Sequence, residues 1–371
     1  MMNDRDVPYA NSQPIPPQRA PRAAPPRGAR VARQHVSRAP HGRAEAHTGT
    51  LDGLVEILLD FKWRGFARRK YFVELVPNDP TAEAHEYALS AKCVADCSEY
   101  TRYPIVFLHG MAGTDNFVGV MDYWYGVGPL LTQAGYLLRM PPGGALAEPE
   151  QRAAEFSAAI DEMELDGIGR RFNLIAHSQG GVDGRYMIGA MDQGHRVASL
   201  TTVASPHHGS PFADIAAGTV FSVPGLNHLI DEALTQFTEL LDLGPGELAE
   251  ATHAVTTAAM ADFNDSVPDS PDTAYFSWSG RTCGYAELSC QAANNGEIVD
   301  PMFWASYRLI DALAGENDGL VPVESAKWGT HLGTLSADHL DEIGLLFGES
   351  GTFDHESFYL AEARRLADAG F

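Results

Sequence analysis

The sequence predicts an α/β fold built on a mainly parallel sheet with helices on both faces. Three observations carry this reading. Short, continuous apolar runs recur from Tyr103 onward, helix-compatible stretches separate them, and several runs stop at small or turn-forming residues. A strand buried on both faces reads as an unbroken apolar run rather than an alternation, and strands that alternate with helices imply parallel order.

Residues 1–50 hold eight of the 23 prolines, eight arginines, no lysine and three acidic residues, with no apolar period. Such a segment cannot bury enough surface to offset chain entropy, so a disordered Pro/Arg/Ala-rich tail is expected there. It has no apolar core of the kind a signal peptide needs. Its Arg-rich, acid-poor composition also suits a transit peptide, although the prolines oppose an amphipathic helix. Residues 51–101 form an N-terminal extension of unread role. Within it, 51–76 reads as a helix followed by a strand-like piece.

The first α/β strand is Pro104–Leu108, ending at His109-Gly110. Pro149–Leu165 has helical character. Phe172–Ile175 is the second strand, Val197–Val203 the third, ending at Ala204-Ser205-Pro206, and Thr273–Trp278 the fourth. Between the third and fourth strands, residues 209–258 contain Leu226, Leu229, Ile230, Ala233, Leu234, Phe237, Leu240 and Leu241 at i, i+3, i+4, i+7 spacing, the mark of an amphipathic helix. One reading is a cap helix packed on the core. The other is a mobile lid whose apolar face covers a site in water and meets lipid when open.

The chain has 371 residues and is 44% hydrophobic, enough for a sizeable core, and no run approaches 18 uncharged apolar residues, so no transmembrane helix is expected. The formal net charge of −23 argues against nucleic acid as a partner. Residues 1–50 carry +5, leaving −28 on the other 321. That acidity suits a salty milieu or a cation-binding surface, and equally plain solubility. Cys93 and Cys97, and Cys283 and Cys290, form two local pairs that permit two small disulfides in an exported protein and four free thiols in a cytosolic one.

The chemistry gathers at Phe172–Tyr186, F-N-L-I-A-H-S-Q-G-G-V-D-G-R-Y, where a serine stands between a strand and a helix. A serine hydroxyl is a weak nucleophile until a base takes its proton, and it must project towards substrate. A sharp strand-to-helix turn achieves this but crowds the residues two before and two after, here Ala176 and Gly180: the nucleophile-elbow pattern, with Ala in place of its first Gly. Helix onset after Ser178 leaves the Gln179 N–H able to serve an oxyanion, and His109-Gly110 after the first strand points to the Met111 N–H as a second donor. In elbow enzymes the acid and then the histidine follow the serine. Asp318, on a tight turn in E-N-D-G-L-V-P, and His339, in A-D-H-L-D, fill those places. His177, His207 and His208 read as packing or supporting groups, and His331 and His355 lack a matched acid motif.

Read together, Y-P-I-V-F-L-H-G-M-A-G, D-N-F-V-G-V-M-D-Y-W-Y-G, N-L-I-A-H-S-Q-G-G, S-P-H-H-G-S, Y-F-S-W-S-G, E-N-D-G-L-V and H-L-D-E-I-G-L-L-F-G resemble, in order and over roughly residues 102–368, the true bacterial triacylglycerol lipases of Pseudomonas, Burkholderia and Proteus type. The resemblance implies an α/β-hydrolase lipase domain over 102–371 with a lid region about 209–258. It implies catalytic Ser178, Asp318 and His339 with Met111 and Gln179 as oxyanion donors. It also implies one structural Ca2+ on the carboxylates of Asp300 and Asp341 and the carbonyls of Leu345 and Glu349, no organic cofactor, and secretion, with the cytoplasm as the alternative. Many members link a cysteine before the S-W-S-G strand to one after N-D-G-L-V. Neither position is a cysteine here, so the dedicated folding chaperone of disulfide-bearing members is not implied. The expected activity is hydrolysis of lipid esters, most of all acylglycerols, at an interface. The alternatives are a related esterase acting on phospholipid or polyester and, in a different class, an inert binding module on the same fold.

Overall fold

The computed structural model describes residues 100–371 except 112, 114–122, 221, 242 and 346–349, and the backbone of four strands between 46 and 92. Those four, β1 (Ala46–Leu51), β2 (Leu54–Leu59), β3 (Tyr71–Pro77) and β4 (Tyr87–Lys92), form an antiparallel sheet in sequence order. The expected helix early in 51–76 is therefore two strand segments, and β1 begins inside the span read as a tail. The physical reason is legible in retrospect. L-V-E-I-L-L carries the β-branched Val55 and Ile57, and Leu51 pairs with Leu54 across Asp52-Gly53, the dipeptide that favours a two-residue hairpin. The rest of the proposed tail lies outside the described residues.

A second sheet has six parallel strands in the order β10-β9-β8-β7-β5-β6. Its members are β5 (Ile105–Leu108), β6 (Leu138–Arg139), β7 (Phe172–His177), β8 (Val197–Val203), β9 (Ala274–Arg281) and β10 (Thr330–Ser336). β5, β7 and β8 are buried along their whole length, which is why they carry unbroken apolar runs. The two strands not expected from sequence, β6 and β10, lie at the sheet's edges. β6 has two residues, and T-H-L-G-T-L-S in β10 is half exposed and carries Gly333, so neither shows an apolar run.

Alternate residues of each strand face two separate cores. Ile105, Phe107, Ile175 and Val203 pack towards α1 (Val127–Ala134), α9 (Trp304–Ala314) and α10 (His355–Asp368). Val106, Leu108, Leu174 and Leu200 pack against Phe156, Ile160 and Met163 of α2 (Pro149–Leu165) and Met187 of α3 (Gln179–Gly189). Each such large apolar side chain contributes about 1.5–3 kcal/mol of burial. Proline at the first position of α2 fixes its start where expected.

Between β8 and β9 run α4 (Pro211–Ala216), α5 (Asn227–Leu241), α6 (Pro245–His253) and α7 (Thr257–Ser266). α5 coincides with the amphipathic pattern. It buries Leu229, Ile230, Ala233 and Phe237, and the Phe237 ring lies 4.4 Å from Phe212 and 5.7 Å from Phe303. The remaining helix, α8 (Leu288–Ala293), lies beside a disulfide between Cys283 and Cys290. Cys93 and Cys97 lie outside the described residues.

The close approach of α3 to β5 gives a direct test of this packing. A Cβ on Gly180 would stand 2.3 Å from the Leu108 carbonyl oxygen and 2.7 Å from that of His109, both backbone atoms that cannot swing aside. Gly180→Ala should lower stability by about 3 kcal/mol or abolish folding. Gly246→Ala, on the exposed start of α6 with nothing within 4 Å, should be neutral or stabilise by up to about 1 kcal/mol. Denaturant melts of the two variants check this, and equal shifts would contradict the packing.

Candidate active site

Ser178 stands at the carboxyl end of β7, the place in an open parallel sheet where ligands bind. Its backbone is held at φ +55°, ψ −133°, a conformation that side chains rarely adopt. Two backbone hydrogen bonds hold it there. The Ser178 N–H donates to the Val203 carbonyl at 2.9 Å, and the Ser178 carbonyl accepts from the Gly181 N–H at 3.1 Å. The turn drives the hydroxyl out beyond the strand end.

His339 follows β10, and its Nε2 lies 2.9 Å from Ser178 Oγ while its Nδ1 lies 2.8 Å from Asp318 Oδ2. Asp318 is fully buried. Its other oxygen accepts from the backbone N–H groups of Leu320 at 2.8 Å and Val321 at 2.7 Å. Both oxygens are thus engaged, so the carboxylate cannot rotate away. With Nδ1–H donating to Asp318, Nε2 is left to accept the serine proton. The structure therefore brings together the three residues singled out from sequence, drawn from loops after β7, α9 and β10.

Gln179 opens α3, where a first-turn amide has no acceptor within its own helix. Met111 follows Gly110 at the end of β5 and lines the same cavity as Ser178 and His339. Gly110 is required there, because a Cβ would come within 2.7 Å of Ser178 Cβ and 2.5 Å of Tyr123 Oη. The cavity, of about 100 Å3, is otherwise walled by Phe212, Phe237, Leu240, Leu241, Phe303 and Leu345.

Sequence reasoning missed several residues around this centre. The Gly110 N–H donates to Tyr123 Oη at 2.9 Å, Tyr123 Oη lies 2.7 Å from His177 Nδ1, and His177 Nε2 lies 2.8 Å from Glu342 Oε2. His177 and Glu342 are buried, and the His177 ring sits 4.6 Å from that of His339. Burial, then the neighbouring His339, pushes the His177 imidazole well below its usual range. Burial, then the Asp318 charge, pushes Glu342 well above its own. D-Y-W-Y-G and H-L-D-E contained both partners, but neither spacing announces a contact between them.

Behind the same loop, Arg152 and Asp183 form a buried ion pair at 2.7 Å, and the guanidinium also donates to the carbonyls of His109 at 2.5 Å, Gly144 at 2.5 Å and Gly110 at 3.1 Å. Burial raises Asp183 to about 7 despite that partner. Burial, then the Arg152 charge, lowers His109 to about 4, so its imidazole is neutral at physiological pH.

Asp341 belongs to a second cluster. Its carboxylate and those of Glu297 and Asp338 lie within 4.8 Å of one another, all buried. Burial, then the Asp300 charge, raises Asp338 to about 8. Burial, then the Asp338 and Glu297 charges, raise Asp341 to about 10. Asp300 thus flanks the group, and its N–H donates to Asp338 Oδ2 at 2.9 Å. Glu297 and Asp338 were not expected there. Asp338 Oδ1 accepts from the N–H groups of Leu340 at 3.0 Å and Asp341 at 3.1 Å, so it shapes the turn from within. Leu345 is buried and lines the apolar cavity, and Glu349 lies outside the described residues. Hard oxygen donors whose ionised forms repel one another fit a Ca2+ ion, which would neutralise them.

Residues 104–236 match the palmitoyl protein thioesterase family. Over 298 residues the chain is 33% identical to a triacylglycerol lipase of Vibrio cholerae, covering 73% of this chain and 89% of the relative. It is 30% identical over 306 residues to a triacylglycerol lipase of Pseudomonas fragi, covering 74% and 99%. Among solved structures, a metagenomic carboxyl esterase shares the fold with a TM-score of 0.55 at 18% identity, covering 80% of this chain and 83% of that one.

Proposed function

The chain belongs to the triacylglycerol lipase family and is a carboxylic ester hydrolase, and from that premise we propose that Ser178 is its nucleophile, His339 its general base and acid, and Asp318 the group that orients the imidazole. The observation that carries this reading is the unbroken run of hydrogen bonds from Asp318 through His339 to a serine held at positive φ on the wall of an apolar cavity.

His339 Nε2 takes the Ser178 proton as Oγ attacks the ester carbonyl. The backbone N–H groups of Met111 and Gln179 receive the oxyanion. On collapse, His339 gives its proton to the leaving alcohol oxygen, and the acyl group stays on Ser178. Water then attacks, His339 takes its proton, the acid departs, and Ser178 regains its hydrogen. The thioesterase match ends before Asp318 and His339 and covers the strand-turn-helix that ester and thioester hydrolysis share, so it does not favour a thioester. The substrate is an acylglycerol at an interface. α5 is a lid: its Phe237, Leu240 and Leu241 close over the cavity that contains Ser178, and a long acyl chain needs them displaced. The protein works outside the cytosol, in keeping with its Cys283–Cys290 disulfide.

Asp341, with Glu297 from the carboxylate cluster, would hold a calcium ion, together with Asp300 and the carbonyls of Leu345 and Glu349 as the resemblance implies. When bound, the ion neutralises the carboxylates and ties down the turn that carries His339. Its role is structural.

Ser178→Ala and His339→Ala should each lower ester hydrolysis at least about a thousandfold while the fold persists, and the double variant should be little worse, because such residues act as a unit. Wild type should be labelled at Ser178 by a fluorophosphonate. Activity within tenfold of wild type in either variant rejects the assignment of these residues, and a wild type with neither activity nor label on Ser178 would be the inert binding module. A hydrolysis profile across triacylglycerol, phospholipid and polyester separates the lipase from its esterase alternatives.

Phe237→Ala should loosen α5 from Phe212 and Phe303 and flatten the jump in tributyrin hydrolysis as substrate passes its solubility limit. An unchanged jump would mean that α5 is a fixed cap.

Calcium should stabilise more at high pH. A carboxyl raised in the native state binds more protons folded than unfolded. The ion-free fold therefore loses stability as pH rises from the unfolded carboxylate range near 4 towards 8, by up to about 1.4 kcal/mol per pH unit for each group. Calcium removes that loss, and buried imidazoles act equally in both arms. The melting difference between saturating Ca2+ and EGTA, roughly 2.7 kcal/mol at 100 times Kd, should be larger at pH 8 than at pH 5. Equal differences, or none, would dismiss the ion.

A further inference from the structure

We propose that Tyr123, His177 and Glu342 form a positioning chain that sets the Gly110–Met111 loop against His339, so that the oxyanion donors and the base keep one geometry. The proposal rests on the reading of Ser178, His339 and Met111 given above.

The hydrogens define the chain. The Gly110 N–H points at Tyr123 Oη, so that oxygen accepts there and its own hydrogen remains to be donated. The acceptor within reach is His177 Nδ1, at 2.7 Å. A neutral imidazole that accepts at Nδ1 carries its hydrogen on Nε2, which donates to Glu342 Oε2 at 2.8 Å. This order holds with Glu342 ionised, and equally with its carboxyl protonated on Oε1, since Oε2 accepts in both cases. Every link lies on a different segment: the loop after β5, the stretch before α1, the end of β7, and the 3-10 turn Asp341–Ile343.

Nothing in the chain touches the reacting atoms in the manner of His339, so its members are positioning residues. Gly110 immediately precedes Met111, and Glu342 lies three residues after His339 on the turn that carries it. His177 adds a ring contact to His339 at 4.6 Å. Displacement of Gly110 by a fraction of an ångström would move the Met111 amide away from a developing oxyanion without altering the apolar cavity that binds the acyl group.

The decisive variant is Tyr123→Phe, which deletes one oxygen and keeps the ring. Tyr359→Phe is the control: Tyr359 is also buried, its ring also packs on Trp124, and its hydroxyl meets no hydrogen-bond partner among the described residues. On a soluble p-nitrophenyl butyrate, Tyr123→Phe should lower kcat on the order of 10- to 100-fold with KM within about twofold. It should weaken inhibition by a phenylboronic acid, a mimic of the tetrahedral oxyanion, by a similar factor. Tyr359→Phe should leave kcat and boronate inhibition unchanged. At His177, Asn offers an acceptor towards Tyr123 and should retain more kcat than Ala. Wild-type kcat and boronate inhibition in folded Tyr123→Phe would overturn the proposal, as would equal losses in Tyr123→Phe and Tyr359→Phe. If Tyr123→Phe does not fold, the comparison of His177→Asn with His177→Ala decides, and equal kcat in those two overturns it. Failure of wild type to label at Ser178 would instead remove the catalytic reading beneath it.

Discussion

The geometry of the site depends on the strained backbone at Ser178. A residue at φ +55°, ψ −133° stores on the order of 1–3 kcal/mol, and persists only where its surroundings over-determine it. Here β5 and β8 flank β7, the Val203 carbonyl holds the Ser178 amide, and α3 begins one residue later. Strain and close packing are one condition: the chain can turn this sharply only because Gly180 lets α3 approach the Leu108 and His109 carbonyls. The sheet therefore supplies rigidity to a hydroxyl that a free loop would let wander.

The turn from Asp338 to Glu342 concentrates several tasks. Asp338 accepts from three backbone amides and shapes the turn, His339 faces Ser178, Asp341 joins the carboxylate cluster, and Glu342 reaches back to His177. Packing so many acids into a buried segment is unfavourable, and the raised values of Asp338 and Asp341 express that cost. A cation would relieve it. A single cation there would bias the base, the turn and the Glu342 link together.

How much of this was legible in the sequence follows from how local each signal was. β5, β7 and β8 are buried on both faces, so their apolar runs identified them. Helical periods identified α2, and the i, i+3, i+4 spacing identified α5. Ser178 declared itself through small neighbours at fixed offsets. β10 did not, because an edge strand alternates and carries polar residues, and the helix expected early in 51–76 overlooks that Asp52-Gly53 favours a hairpin into β2. Tyr123, Glu342, Glu297 and Arg152 were illegible for a different reason. Their partners His177, His177, Asp341 and Asp183 lie 54, 165, 44 and 31 residues away, and only the folded sheet brings them together.

The loop after β5 shows what those long-range contacts accomplish. From one side Arg152, itself held by Asp183, takes up the His109 and Gly110 carbonyls; from the other Tyr123 takes up the Gly110 amide. A glycine loop held only by packing would sample many conformations, since Gly loses more freedom on folding than any other residue. Hydrogen bonds on both its donor and acceptor sides leave Gly110 little to gain by rotating. The two anchors also differ in kind. The buried ion pair is costly to break and holds the loop against α2 and α3, whereas the Tyr123 link runs towards the histidine turn. Position relative to the scaffold and position relative to the base are thus set by separate groups, which is why an isosteric change at Tyr123 can disturb the second and leave the first intact.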